Sequence, residues 1–245
     1  MGYIADKEDL TSKFFHIDDE KTDFFIYDLP ESWWSRKYEY AWARKFVDPN
    51  DVVLDAASGV FHPLRFHLAE YCRNVYACDF DKDVEIRVFS DLSRKQIKKS
   101  GFPIKTLKML LSPKYMNKIN STCCSITNLP YDDAMFDTIF CISVLEHLND
   151  VHNSPKKYRR FLSLFTSKKS HELEEAMREF HRVLKTGGKV VLTFDYPIIN
   201  LDYLEEIALK IGFDFMGGIE KTVPLDALYS RQYNLHCFRA VLSKK

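Results

Sequence analysis

The sequence predicts a doubly wound α/β fold, in which helices cover both faces of a mostly parallel sheet. Apolar runs of strand length alternate with longer stretches of helical periodicity. The first such run ends at Asp55, passes through small residues to Gly59 and enters a helical pattern after Pro63. The next run ends in Asp79. In a parallel sheet the carboxyl ends of these two strands lie side by side, so the two segments are expected to form one site.

The predicted elements follow in a regular order. An amphipathic helix over residues 31 to 46 precedes the sheet. Strands are expected near residues 52–55, 75–79, 121–125, 137–142, 189–195 and 237–242. Helices are expected at residues 63–72, within 82–118, after Leu145, at 171–185 and at 202–211. Glycine is common just past a helix C terminus, so Gly187-Gly188 and Gly212 are expected to end the last two helices.

The composition fits one domain. The chain has 245 residues and 46% of them are hydrophobic, which is enough to form a single core. We expect one domain over residues 1–245, with a helical cap or lid at 1–48 and the α/β core at 49–245. Lysine plus arginine equals aspartate plus glutamate at 35 each, so the total charge indicates neither a nucleic-acid partner nor an anionic membrane.

The sequence also bears on the location of the protein and on metal binding. The sequence shows neither an apolar stretch long enough to span a membrane nor a basic, apolar leader, so a cytoplasmic protein is expected. The six cysteines lack metal-ligand spacing and mostly lie in apolar runs. We therefore expect buried, reduced thiols, no metal site, and a monomer or homodimer.

The loop after the first strand and the acid after the second indicate a nucleoside cofactor. Asp79 would meet the hydroxyls of a ribose held over this loop. A dinucleotide fingerprint fails, because Ala57 and His62 occupy the places of two of its glycines. No Gly-Lys-Ser/Thr follows, so a nucleoside triphosphate is not indicated either. A ligand with a ribose and no phosphate remains, and S-adenosylmethionine fits that description.

Five motifs in register carry a family resemblance over residues 50 to 196. They are Val53-Leu54-Asp55-Ala56-Ala57-Ser58-Gly59, Asp79-Phe80-Asp81, Leu129-Pro130-Tyr131-Asp132-Asp133 with Phe136-Asp137, Val144-Leu145-Glu146-His147-Leu148, and Arg182-Val183-Leu184-Lys185-Thr186-Gly187-Gly188-Lys189. In these motifs the chain resembles class I S-adenosylmethionine-dependent methyltransferases, and among them the small-molecule enzymes of methyltransferase type 11. The resemblance implies a Rossmann-like sheet of seven strands, the last of them antiparallel. It departs at the first loop, where Ala57 and Phe61 replace usual glycines.

The resemblance also implies the cofactor contacts. Asp55 is expected to anchor the first loop, and the backbone at Ala57 and Gly59 to lie along the amino-acid tail of S-adenosylmethionine. Asp79 is expected to accept the ribose hydroxyls, with Phe80 beside the adenine. Further contacts are expected from Ser125 and Ile126 at the adenine edge and from the backbone carbonyl of Ser143.

Methyl transfer needs in-line positioning and, for a hydroxyl or amine acceptor, removal of a proton. His147 is the leading candidate for the base, because it follows the fourth strand and imidazole titrates near neutral pH. A structural histidine is the open alternative, and Glu146 would then hold the loop or orient the imidazole. Asp195 and Tyr196, after the fifth strand, are further catalytic candidates.

The most aromatic stretch of the chain lies between Trp33 and Trp42. On a helix, Trp34 and Trp42 share one face, for which packing in the core is expected. Arg36 and Tyr40 share another face. By analogy with methyltransferases of this type, we expect Arg36 to meet the cofactor carboxylate and Tyr40 to line the site as part of a lid.

Two basic segments leave alternatives open. Residues 82 to 120 hold ten lysines and arginines against three acids. Within them, Arg94, Lys95, Lys98 and Lys99 form either a rim that attracts an anionic substrate or a solvated helix face. Residues 150 to 171, after the fourth strand, form either a substrate lid or packing on a long connection.

The sequence therefore predicts an S-adenosylmethionine-dependent methyltransferase with a small-molecule acceptor. O-methylation of a sugar, lipid precursor or secondary metabolite is the main expectation. N-methylation of a small amine and a cofactor-binding, non-catalytic relative are the alternatives. A nucleic-acid methyltransferase is disfavoured, because neither an Asn/Asp-Pro-Pro-aromatic signature nor an appended basic module is found.

Overall fold

The computed structural model describes residues 5–148 and 171–245. The connection predicted as a substrate lid falls outside these residues, apart from residue 171. The described strands are β1 Lys13–Phe14, β2 Val52–Ala56, β3 Asn74–Asp79, β4 Ile119–Cys123, β5 Phe136–Ile142, β6 Leu184–Tyr196, β7 Phe213–Phe215, β8 Tyr229–Ser230 and β9 Leu235–Lys244. The described helices are α1 Arg36–Ala43, α2 Leu64–Tyr71, α3 Arg94–Ser100, α4 Ile104–Leu110, α5 Pro113–Met116, α6 Glu172–Val183 and α7 Leu201–Ile211.

All these strands belong to one sheet, whose main order is β1-β9-β6-β5-β2-β3-β4. Strands β2 to β6 pair in parallel, and β9 runs antiparallel to β6, as expected for the last strand. The predicted fold is confirmed, but the sheet has nine strands rather than seven. The short β1 extends one edge beside β9, and β8 also pairs with β9. Two-residue strands such as these carry no apolar periodicity that sequence analysis could detect.

Apolar side chains on both faces of the sheet explain why it is covered by helices on both sides. Val53 and Leu54 of β2 are fully buried, and because they are adjacent they point to opposite faces. Val53 packs in a core with Phe66 of α2, whereas Leu54 packs in a core with Phe180 of α6. A strand buried on both faces has a continuous apolar sequence, which is typical of parallel sheets.

Two predicted helix boundaries are wrong. Helix α6 ends at Val183 rather than at residue 185, and Gly187 lies within β6. The reason is a register shift between β5 and β6, where Leu184 pairs with Phe136 before the glycines and Lys189 pairs with Thr138 after them. At the N terminus, α1 begins at Arg36 instead of residue 31, because the chain makes a turn in which the Trp33 amide donates to the Pro30 carbonyl. The extension is therefore only partly helical.

The described residues contain no helix long and apolar enough to cross a membrane. The same part of the chain contains no group of three or more His, Cys, Asp or Glu side chains placed to hold a metal ion. All six cysteines are free thiols; Cys123 and Cys124 are partly exposed and the other four are buried.

Candidate active site

A cleft opens at the carboxyl ends of the central parallel strands, where ligands of open α/β sheets bind. Its volume is about 440 Å³. We call it the strand-end cleft. Its walls come from α1 and from the segments that follow β2, β3, β4 and β5. The predicted site residues that line it are Arg36, Ala57, Gly59, Asp79, Phe80, Ser125, Ile126, Ser143 and His147.

The loop after β2 leaves room for a ligand because it carries little side-chain volume. Gly59 has a φ of +62°, and a Cβ atom there would lie 2.9 Å from Cδ2 of His62. Only glycine fits such a position without strain. Ala57 also has a positive φ, +54°, which is uncommon for a residue with a side chain. The replacement of a glycine by Ala57 therefore leaves the loop with a glycine-like backbone at that position.

Asp79 lies at the floor of the strand-end cleft with 7% of its surface exposed. Its Oδ2 accepts a hydrogen bond from the Gly59 amide at 2.8 Å, and its Oδ1 accepts one from the Asp81 amide at 2.9 Å. These bonds fix the carboxylate against the loop. Each carboxylate oxygen has a second lone pair, so the group can still accept hydrogen bonds from a diol. The neighbouring Phe80 is 83% exposed, which leaves its ring available for a planar ligand.

The wall of the strand-end cleft next to α1 is held by a buried ion pair that the sequence analysis missed. Nη1 of Arg36 donates to Oε2 of Glu39 at 2.8 Å, and Glu39 is fully buried. Glu39 also accepts hydrogen bonds from the hydroxyls of Ser143, at 2.9 Å, and Thr193, at 2.6 Å. Burial alone would raise the pKa of Glu39, but Arg36 and the hydroxyl donors hold it below its usual value. This network ties α1 to the ends of β5 and β6.

Arg36 also donates to the carbonyls of Ile142, at 3.2 Å, and Ser143, at 3.3 Å. The Ser143 carbonyl that was expected to serve the cofactor therefore already has a partner. Glu39 could have been noticed in the sequence, because an acid three residues after an arginine can pair with it on a helix. The sequence could not show that the pair is buried.

Four predicted site residues do not line the strand-end cleft, and Asp195, described below, is one of them. The ring of Tyr40 is buried and stacks on Phe25 at 5.1 Å. The ring of Tyr196 packs edge-on against Phe14 at 5.1 Å. Asp55 is buried, with its Oδ2 lacking a hydrogen-bond partner among the described residues. Burial raises the pKa of Asp55 to about 7, and the Asp79 carboxylate adds to this effect.

A second space, of about 350 Å³, adjoins the strand-end cleft. The two share four lining residues: Arg36, His62, Ser143 and His147. We call the second space the aromatic cavity, because Trp33, Trp34 and Tyr233 are among its lining residues. Trp34, which was expected in the core, thus also lines a cavity. Asp195 lies here and not in the strand-end cleft.

Two carboxylates of the aromatic cavity have no hydrogen bond at one oxygen. These oxygens are Oε2 of Glu146 and Oδ1 of Asp195, both buried and without a partner in the described part of the chain. Burial, and then the charge of Asp195, raises the pKa of Glu146 well above its usual value. Burial and the Glu39 carboxylate raise the pKa of Asp195 to about 7.

The surroundings of the two imidazoles shared by the cavities disfavour their charged form. Burial, and then Arg36, lowers the pKa of His62 to about 4. The same two causes lower the pKa of His147. A neutral imidazole can accept a proton, but a pKa of about 4 makes His62 a weak base. His147 and Asp195 are therefore the candidate bases beside the shared wall.

Comparison with known proteins identifies the family. The model of the methyltransferase domain matches residues 54–192, more than half of the chain. The chain belongs to this methyltransferase family. Its cofactor is therefore S-adenosylmethionine, which supplies an activated methyl group. The strand-end cleft fits this molecule, because Gly59 leaves space over the loop and Asp79 places a carboxylate where a ribose diol would lie.

Individual relatives are distant. A curated uncharacterised protein of Methanocaldococcus jannaschii is 28% identical over 103 residues, which are 41% of this chain and 34% of that protein. The chain thus spans about a third of this relative's length. Among solved structures, the (4+2)-cyclase SpnF is similar with a TM-score of 0.52 at 14% identity, covering 99% of this chain and 88% of that one. A candidate S-adenosylmethionine-dependent methyltransferase of Listeria monocytogenes has a TM-score of 0.50 at 12% identity, covering 84% and 98%. At such identities the likeness shows the fold alone.

Proposed function

We propose that the protein transfers the methyl group of S-adenosylmethionine to a small molecule bound in the aromatic cavity. The observation that carries this proposal is the wall shared by the two spaces. A ligand in the strand-end cleft and a ligand in the aromatic cavity both contact Arg36, His62, Ser143 and His147. Two reactants held side by side are what methyl transfer requires, because positioning supplies most of the catalysis.

The cofactor contacts in this proposal follow the lining of the strand-end cleft. Asp79 accepts the ribose hydroxyls, and the backbone at Ala57 and Gly59 lies along the amino-acid tail. Phe80 covers the adenine, and Ser125 and Ile126 lie at its edge. Arg36 lines the cleft as well, and we keep it as a cofactor contact although its main bonds hold the wall.

The proton of the acceptor needs a base beside the shared wall. His147 and Asp195 both line the aromatic cavity, and either can take a proton from a hydroxyl or an amine. Tyr196 is not kept as a catalytic residue, because it lines neither space and its ring packs on Phe14. We further infer a cytoplasmic protein, which accords with its free thiols.

Calorimetry tests the cofactor half of the proposal. The full chain should bind S-adenosylhomocysteine with an affinity in the micromolar range, and Asp79→Asn should weaken binding by about tenfold or more, as expected for a lost charge-assisted hydrogen bond. Asp81→Asn is the matched control, because Asp81 lies two residues on and outside the strand-end cleft. Equal affinity of Asp79→Asn and the wild type would contradict the assignment of Asp79.

The alternative of a non-catalytic relative has its own outcome. Such a protein would bind S-adenosylhomocysteine and transfer no methyl group from labelled S-adenosylmethionine to any acceptor. The glycine-poor loop motivated this alternative. The positive φ of Ala57 weakens it, because the backbone there keeps a conformation typical of glycine.

A further inference from the structure

The two acidic side chains that line the aromatic cavity lack full hydrogen bonding. Glu146 and Asp195 each present a carboxylate with one oxygen that lacks a hydrogen-bond partner among the described residues. The one cationic side chain in the lining is Arg36, as far as the described chain goes. Its guanidinium is already paired with Glu39 and bonded to two carbonyls. The acidic groups of Glu146 and Asp195 therefore have no cation to pair with in the described part of this lining.

Buried polar atoms without partners are rare in proteins and call for an explanation. A buried carboxylate oxygen left without a hydrogen bond destabilises the folded state, because its desolvation is not compensated. Here the two orphaned oxygens belong to side chains that line one cavity. A ligand with N–H donors and a positive charge would offer both carboxyl groups a partner.

The remaining surface of the aromatic cavity suits the same ligand. Trp33, Trp34 and Tyr233 contribute rings to its lining. Trp33 also packs against His62, with ring centroids 4.7 Å apart, which fixes one ring beside the shared wall. Ring faces attract cations and also bury apolar groups, so a ligand with an ammonium group on an apolar body is accommodated at both ends.

We propose that the methyl acceptor is a primary or secondary amine on an apolar body, whose nitrogen lies against Glu146 and Asp195 in the aromatic cavity. This inference rests on the proposed function and names its substrate class. It departs from the expectation of O-methylation and from the open alternative of an anionic acceptor, and it agrees with the alternative of N-methylation. An anion would enter a space lined by two acidic side chains, in which the guanidinium of Arg36 is already paired with Glu39.

The basic residues that suggested an anionic acceptor lie elsewhere. Arg94, Lys95, Lys98 and Lys99 belong to α3, and none of them lines the strand-end cleft or the aromatic cavity. Lys99 is paired with Asp81 at 3.2 Å, and it lines a third space, which shares Trp33 and His62 with the aromatic cavity. All four basic side chains are exposed.

The reaction balances with Asp195 as the proton acceptor. The protonated amine gives one proton to the Asp195 carboxylate and becomes a neutral amine with a lone pair. This lone pair forms the bond to the methyl carbon while the carbon–sulfur bond breaks and its electron pair stays on sulfur. The products are a methylated ammonium ion and S-adenosylhomocysteine, and Asp195 later releases its proton to water. The raised pKa of Asp195, about 7, suits a group that takes and returns a proton near neutral pH.

Matched probes test the inference with the full chain saturated with S-adenosylhomocysteine. The probes are hexylamine, 2-phenylethylamine and tryptamine, each compared with the alcohol and the carboxylate on the same body. Binding is measured by calorimetry, and methyl transfer is then measured with labelled S-adenosylmethionine. At least one amine should bind about tenfold tighter than its alcohol and carboxylate counterparts, and only amines should be methylated.

Variants of the two carboxylates test their role in amine binding, with cofactor affinity as the measure of an intact fold. Asp195→Asn and Glu146→Gln should each weaken amine binding by about tenfold while leaving the affinity for S-adenosylhomocysteine unchanged. Glu206→Gln, an exposed acid on α7, is the control and should change neither. Asp195→Asn should also remove the rise of the transfer rate with pH near 7.

The outcomes distinguish this inference from the proposed function. If S-adenosylhomocysteine binds but no amine does, or if alcohols or carboxylates are the preferred acceptors, the amine assignment is overturned and the proposed function stands. If both carboxylate variants bind amines as the wild type does, the assignment is likewise overturned. Absence of S-adenosylhomocysteine binding overturns both.

Discussion

The strand-end cleft and the aromatic cavity share a wall but are built differently. The strand-end cleft is formed largely by the loops that follow β2, β3, β4 and β5, and a residue such as Gly59 contributes backbone alone. The aromatic cavity is formed by side chains from distant parts of the sequence, among them Trp33, Glu146, Asp195 and Tyr233. The shape of the strand-end cleft depends on where the strands end, whereas the shape of the aromatic cavity depends on how segments distant in sequence pack together.

The two spaces therefore differ in how readily substitutions can reshape them. The position of strand ends follows from the sheet itself, so the strand-end cleft is fixed once the fold forms. The aromatic cavity can be altered by single substitutions without moving a strand, so in the proposed function it is the half that sets acceptor choice. Glu39 belongs to neither lining but supports both halves, because its hydrogen bonds hold Arg36 and Ser143 in the shared wall.

The largest effect is therefore expected at Glu39. Glu39→Ala removes the partner of a buried guanidinium and should destabilise the fold by about 3–5 kcal/mol. Urea unfolding monitored by circular dichroism measures this change. Glu174→Ala, which removes a partner from exposed Arg178, is the control, and the expected change is below about 1 kcal/mol. Similar destabilisation by the two variants would contradict the view that the shared wall depends on Glu39.

A second substitution should separate the two halves. Gly59→Val places a side chain at a φ of +62° and against His62, so affinity for S-adenosylhomocysteine should fall by about tenfold to a hundredfold. Gly101→Val is matched, because Gly101 has a φ of +71° with no atom within 4 Å of its Cβ position. The control should lose stability but keep cofactor affinity. Equal losses of affinity would show that strain, and not the clash in the strand-end cleft, is responsible.

The pH dependence of stability should reveal the carboxylate of the aromatic cavity. The folded pKa of Asp195 is about 7, above the unfolded value near 4. Between pH 4 and pH 7 the folded state therefore keeps a proton on Asp195 that the unfolded state releases. This contribution to stability is full below pH 4 and is lost as the pH rises to about 7. Asp195→Asn should make the difference in unfolding free energy between pH 5 and pH 7 smaller. Asp55→Asn should do the same, because its folded pKa is also about 7.

A bound amine should distinguish these two aspartates. The positive charge of the amine would favour ionised Asp195 and lower its pKa. In the Asp55→Asn variant, where Asp195 is still present, the amine should therefore weaken the pH dependence of stability. In the Asp195→Asn variant the amine should leave the pH dependence of stability nearly unchanged. Thermal unfolding at several pH values with saturating 2-phenylethylamine measures both. An equal response in the two variants would mean that the amine does not bind next to Asp195.

The smallest effect is expected at His147. If Asp195 takes the proton of the acceptor, His147→Ala removes only a lining side chain and should lower kcat by less than about tenfold. Steady-state kinetics with the best amine probe provide the test. A loss of a hundredfold or more with unchanged cofactor affinity would instead make His147 the base, as the sequence analysis first suggested.

The sequence predicted the fold and the place of the strand-end cleft, because both depend on local patterns. Strand β2 and Gly59 could be recognised from an apolar run followed by small residues, and Asp79 from the end of the next run. The aromatic cavity could not be recognised, because Trp33 and Tyr233 are 200 residues apart and only the fold brings them together. Tyr40 was misjudged for a related reason, since helical spacing does not say which face meets the core.

The central claim is that a cofactor in the strand-end cleft faces an amine in the aromatic cavity. A crystal structure of the chain with S-adenosylhomocysteine and the tightest-binding amine probe tests it most directly. We predict that the ribose will lie on Asp79 and that the amine nitrogen will lie within about 3 Å of a carboxylate oxygen of Glu146 or Asp195. An amine whose nitrogen points away from both carboxylates, or a nucleoside bound outside the strand-end cleft, would contradict the account.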